Sequence, residues 1–312
     1  MRRLLHCLSA ILLMSSCETV FDINPQTSPK LYLQCFAGTG DVNVIQLFRT
    51  YPIGENPDTE NAFFLEDAEI ELMIDGTRKE VHYASETNGI VPAGCWYVNG
   101  TVDSGAEVEI KASYGDIPQI KASTIVPEEF PPCNVSLSDG FVSVTLNDME
   151  SCTDFYGLAV EGEARALDDS GLMIPFDCMS ISDDVELWGT GTAREYVDLN
   201  FNGWATYAGY GNLRLWSDKS FNGQTKTLAF RWSSMLFPGH LEGHEWDIFY
   251  RVRLYKVSPE FWNYALSRDN IANNHLAYIG LAPSSNSYSN VKGGLGVLGS
   301  YSLRVSGWQE LE

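Results

Sequence analysis

Two stretches of the chain place oxygen donors in the spacing of a calcium loop. Asp198, Asn200 and Asn202 precede Gly203, and Asp218, Ser220 and Asn222 precede Gly223. A calcium loop takes ligands from positions 1, 3 and 5, turns at a glycine, and closes on a bidentate Glu at position 12. The closing positions hold Gly209 and Ala229. Without that carboxylate each stretch is a poor cage. Asp and Asn also bond their own backbone in turns, so both stretches read as turns, and no metal is assigned. Gly294, Gly296 and Gly299 spell G-x-G-x-x-G. That fingerprint binds a dinucleotide when it follows a strand and opens a helix. Here Tyr301, Leu303 and Val305 alternate with Ser300, Ser302, Arg304 and Ser306, which is strand spacing. These glycines read as places of close backbone contact. His244 and Glu245 begin an H-E-x-x-H that fails at Ile248. His240, Glu242 and His244 could share one strand face, but they read as a solvated loop before a strand. No G-x-S-x-G elbow and no Walker A loop is present. The chemistry-bearing residue types therefore give no catalytic set and no cofactor site, and the chain reads as a non-enzyme.

The elements that would carry any site are mostly strands. Leu31, Leu33 and Cys35 alternate on one face. Ile70, Leu72 and Ile74 alternate with Glu69 and Glu71. About seven such runs, parted by turn signals such as Asp75-Gly76 and Asn99-Gly100, fill residues 30–126 and predict an immunoglobulin-like or transthyretin-like β-sandwich. Pro127, Pro131 and Pro132 cannot donate ladder hydrogen bonds, and a boundary is placed at 127. Residues 127–312 read as a second β-rich domain. Its one convincing helix follows Ser258, which can cap, with Pro259 at the first helical position and Glu260 at the positive dipole end. Phe261, Trp262 and Leu266 are expected to pack on the sheet. The predicted fold class is all-β, two sandwiches and one helix.

The start of the chain points to a compartment. Arg2 and Arg3 precede an apolar run from Leu4 to Met14, which is too short to span a bilayer and suits a cleaved signal. Leu13-Met14-Ser15-Ser16-Cys17 resembles the lipobox of bacterial lipoproteins. Residues 1–16 are thus expected to leave, with Cys17 acylated and residues 17–29 acting as a tether. Loss of Arg2 and Arg3 moves the formal charge from −21 to −23. So acidic a surface repels phosphate backbones, so nucleic acid is not an expected partner. Of seven cysteines, five remain once Cys7 is cleaved and Cys17 is lipidated. The envelope permits disulfides. A Cys35–Cys95 bridge is the pairing read for the first domain, with buried free thiols as the equal alternative.

The whole chain is similar to the Bacteroidota lipoproteins classed as domain of unknown function 4249. The resemblance is carried by "SSCETVFDI", "PKLYLQCF", "VPEEFPP", "SDKSFNGQTKTL", "RVRLYKVSPEFWNYALS" and "SNVKGGLGVLGSYS". It implies an outer-membrane lipoprotein, an accessory to a TonB-dependent transporter that captures a small ligand. No catalytic residues carry over with it. Trp204, Tyr207 and Tyr210 are the aromatic residues first considered for ligand or partner contact, with a place in the core as the alternative. A fimbrillin-like subunit is the second reading. It would need a basic protease site after the lipobox, and no Lys or Arg lies between Cys17 and Pro29. An envelope hydrolase without a recognisable motif is the third.

Overall fold

The structure is a computed structural model and describes residues 28–51, 65–131, 133–149, 153–168, 170–182, 196–199, 213–234 and 243–311. In chain order the strands are β1 (Leu31–Gly38), β2 (Val42–Arg49), β3 (Glu69–Ile74), β4 (Thr77–Lys79), β5 (His82–Tyr83), β6 (Trp96–Asn99), β7 (Glu107–Tyr114) and β8 (Ile117–Ile125). There follow β9 (Cys133–Ser138), β10 (Phe141–Asn147), β11 (Phe155–Ala166), β12 (Met173–Ser182), β13 (Tyr196–Leu199), β14 (Leu213–Ser217), β15 (Thr225–Ser234) and β16 (Trp246–Val257). Helix α1 (Pro259–Ala272), the short α2 (His275–Tyr278), β17 (Leu295–Val305) and β18 (Gln309–Glu310) complete the order. The chain is mainly β, as its period-two alternation requires.

Among the described residues the strands form two sheets. The smaller runs β4-β3-β7-β8. The larger runs β5-β6-β2-β1-β17-β16-β11-β12-β15-β10-β9, with β14 also on β11, β13 on β14, and β18 on β16. Residues 127–131 have no regular structure, and the segments before and after them meet elsewhere. β1 pairs in parallel with β17, Tyr32 opposite Leu295 through Gly38 opposite Tyr301. A strand from near each end of the described chain therefore closes one ladder.

The two central strands are covered on both faces. Leu31, Leu33 and Cys35 of β1 join Leu298 of β17, Ile110 of β7 and Ile120 of β8 in a core between the sheets. Phe36 of β1 and Val297 and Tyr301 of β17 point the other way, into a cluster with Phe261, Trp262, Tyr264 and Ala265 of α1. The helix begins as its sequence dictates. Ser258 Oγ accepts from the Phe261 amide at 3.3 Å, and Pro259 holds the first position where no intrahelical donor is needed. Phe36 and Phe261 stack at 4.2 Å between ring centroids. A third core lies under β9–β12, β15 and β16, with Tyr156, Trp216, Phe221, Phe230 and Leu254 in it.

Gly296 and Gly299 of the G-x-G-x-x-G lie in β17, and Gly294 comes just before it. Gly296 has φ +101°, and a Cβ there would collide with the Leu33 carbonyl oxygen. A Cβ at Gly299 would sit 2.9 Å from Phe261 Cβ. The first glycine lets β17 lie against β1, and the second lets α1 lie against β17. No helix follows, so no helix N-terminus faces a phosphate here.

The Cys35–Cys95 bridge is corrected. Both are free, buried thiols, and burial pushes each up to about 12. Cys35 lies opposite Ile45 of β2, and Ile45 lies opposite Trp96 of β6. Cys95 is one residue before Trp96, so its side chain takes the opposite face. It packs with Ala84, Val91 and Val44 rather than in the core that holds Cys35. With a strand between them as well, the sulfurs cannot meet at a disulfide's Cα separation of about 4.4–6.8 Å.

Candidate functional site

Three strand ends meet at one corner of the third core. β11 begins at Phe155, opposite Ser217, the last residue of β14. That register sets Asp154 beside Asp218. β10 ends at Asn147, opposite Thr225, the first residue of β15, which sets Asp148 beside the turn that joins β14 to β15. The turn is closed by the Phe221 amide donating to the Asp218 carbonyl at 2.7 Å and the Gln224 amide to the Phe221 carbonyl at 2.9 Å. Gly223 takes the positive φ, 75°, that this turn requires. The sequence expectation of a turn at Asp218 to Gly223 is met, but this turn brings a carboxylate inside.

One carboxylate oxygen from each of Asp148, Asp154 and Asp218 lies within 4.8 Å of the others. Asp218 has no exposed surface. Its Oδ2 accepts from the Asp154 amide at 3.0 Å, while its Oδ1 is buried without a hydrogen-bond partner. Asp148 Oδ2 accepts from the Gly223 amide at 2.7 Å. Tyr156 donates its hydroxyl to Asp148 Oδ1 at 2.6 Å and to Asp154 Oδ2 at 3.3 Å. Lys256, opposite Tyr156 on β16, reaches Asp154 Oδ2 at 2.7 Å. Burial, and then the charges of Asp148 and Asp154, push the Asp218 carboxyl up to about 7, against the pull of the Asp154 amide. Burial and the bond to Asp148 raise the Tyr156 hydroxyl well above its ordinary value, so it stays a donor. Two carboxylates about 4 Å apart repel by on the order of 4 kcal/mol near a protein surface. Such a corner is stable only when protons or cations offset the charge, and its all-oxygen donors suit a hard cation.

Comparison with known proteins gives a family. The model described as a domain of unknown function, number 4249, matches residues 18–305. The chain belongs to that family. A comparison with curated proteins finds no match. The matched span includes β17, α1 and all three aspartates, and it begins one residue after Cys17.

The residues singled out from sequence fare differently. Cys17, Trp204, Tyr207 and Tyr210 lie outside the described residues, as do Asn200, Asn202, His240 and Glu242. Asp198 is placed on β13, opposite Arg214 of β14. His244 stands just before β16, where its Nδ1 lies 2.6 Å from Asp168 Oδ2. The Ser170 hydroxyl and then His244 hold Asp168 down at about 2. This is a surface pair where the end of β11 meets the start of β16. Asp148 and Asp154 were missed. They flank a polar connection between two strands, and no spacing ties them to Asp218, 64 residues beyond Asp154.

Proposed function

We propose that this chain is a lipid-anchored, non-enzymatic envelope protein that assists a TonB-dependent outer-membrane transporter in capturing a small ligand. The observation that carries the anchor is the lipobox-like run Leu13 to Cys17. Acyl chains on Cys17 would hold the protein to the outer membrane, since each buried methylene adds about 0.8 kcal/mol. The 12 residues from Glu18 to Pro29 stretch to at most ~40 Å, enough for the folded part to reorient over a pore. Confinement to the membrane plane raises the effective concentration toward a membrane partner. The transporter is suggested by the resemblance to Bacteroidota lipoproteins.

β1 argues against a fimbrial subunit built on a removable first strand. It is paired on both edges, with β2 and with β17, and Leu31 and Leu33 have no exposed surface. Removing it would open two cores. The test is a pulldown on a C-terminal tag after mild detergent extraction, with quantitative mass spectrometry. Enrichment of a TonB-dependent β-barrel supports the proposal. Recovery of the protein alone, under conditions that keep a known transporter–lipoprotein pair together, counts against it, and a ladder of its own copies would favour the fimbrial reading.

A further inference from the structure

The aspartate corner lies outside anything the accessory role requires, and it is a group of three potential metal-binding side chains among the described residues. Asp148 leaves the end of β10, Asp154 enters β11, and Asp218 leaves β14. Their carboxylates converge within 4.8 Å although the residues come from distant parts of the sequence. The groups that face them are Tyr156 from β11, Lys256 from β16, the Gly223 amide from the turn, and the Asp154 amide. Set against the Lys256 ammonium, the three carboxylates leave two negative charges once all are ionised, the state a bound cation would favour over the proton that burial favours on Asp218. The contacts satisfy Asp148, Asp154 and one oxygen of Asp218. They leave Asp218 Oδ1, which is buried, without a hydrogen-bond donor. Among the described residues no other buried carboxylate oxygen is in this condition.

We infer that Asp148, Asp154 and Asp218 form a calcium site, with the Asp218 Oδ1 as the ligand that the protein itself leaves unsatisfied. The net charge of two is what a divalent cation cancels. The donors are all oxygen, with no His or Cys in the cluster, which disfavours zinc and copper. Ligand oxygens gathered on calcium lie about 2.3–2.6 Å from the ion in flexible geometry, so a cluster within 4.8 Å spans one ion. Magnesium needs a near-ideal octahedron and holds its waters, a poor match to three strand ends with an ammonium on one flank. The site also accounts for the half calcium loop. Asp218, Ser220, Asn222 and Gly223 supply its opening pattern, and the carboxylate missing from position 12 is replaced by two carboxylates from other strands. An ion there would tie the ends of β10, β11 and β14 together at the point where the sheet divides.

The experiment uses the full chain in detergent, stripped with chelator and dialysed. Calcium chloride is titrated by calorimetry, and thermal unfolding is followed with and without it. Wild type should bind about one equivalent. At free calcium 100 times the dissociation constant, the ratio of folded to unfolded chain should rise about 100-fold. Asp218→Asn and Asp148→Asn should each weaken binding by at least about tenfold and lose most of the calcium-dependent rise in Tm. In chelator, Asp218→Asn should unfold no earlier than wild type, because it removes a charge from a repelling cluster. That readout separates loss of a ligand from damage to the fold. No heat and no Tm change for wild type in about 10 mM calcium would overturn the inference. So would undiminished binding by both variants, or a response to magnesium equal to that to calcium.

Discussion

Strand β17 and Asp218, which opens the turn after β14, are both buried, and they differ in how their buried polar groups are met. Around β17 the buried groups are apolar or are polar groups with partners, such as Ser300, whose hydroxyl donates to the Ile125 carbonyl at 2.7 Å, and Ser302, whose hydroxyl donates to the Glu128 carbonyl at 2.9 Å. Gly296 meets the Leu33 backbone, Gly299 meets Phe261, and Leu298 fills the core between the sheets. Close packing is complete there, and any added atom has to displace another. Asp218 lies between Trp216 and Phe221, both of which are in a buried core, but the buried group there is a carboxylate beside two more. One region is finished by the chain alone, whereas the other has a charge that the chain offsets only in part. Burial by itself therefore does not tell a structural motif from a binding one. What tells them apart is whether the buried polar groups are satisfied.

The contrast can be tested by substitution. The largest effect is expected at Gly296→Val. The added side chain collides with the backbone of β1 at a positive φ, and the loss should reach roughly 4 kcal/mol or prevent folding, as strain and overpacking combine. Urea denaturation would show it, and a loss under about 1 kcal/mol would mean that β17 is not tightly held against β1. Phe261→Ala should cost about 3–5 kcal/mol, because the ring is buried and stacks on Phe36. Calcium should recover none of that loss. Tyr156→Phe should cost about 2 kcal/mol, since it removes a donor shared by two carboxylates. Here calcium should recover part of the loss, and equal losses with and without the ion would erase the contrast between the two regions. The smallest effect is expected from reductant. Cys35 and Cys95 are free, so dithiothreitol should leave Tm unchanged, and a fall of several degrees would restore a disulfide.

The strands were legible because period two is a local signal. Leu31, Leu33 and Cys35 share a face in the sequence and share a core in the structure. The helix was legible because Ser258, Pro259 and Glu260 are local as well. The closure of β1 on β17 was not, since a parallel pairing across most of the chain leaves no mark in either strand. One of the three aspartates at the corner was legible. Asp218 stood out by its spacing to Ser220 and Asn222. Asp148 and Asp154 did not, because only the register of β11 on β14 and of β10 on β15 brings them to it. The Cys35–Cys95 pairing failed for a related reason. Two cysteines in one sandwich look close in sequence terms, but an intervening strand and opposite faces keep them apart.

The claim that the Asp218 corner is completed from outside the chain is tested most directly by metal content. The full chain would be dialysed against about 1 mM calcium, desalted, and measured by inductively coupled plasma mass spectrometry beside Asp218→Asn. The account predicts about one calcium per wild-type chain and a small fraction of that in the variant. No calcium in wild type, or equal calcium in both, would contradict it.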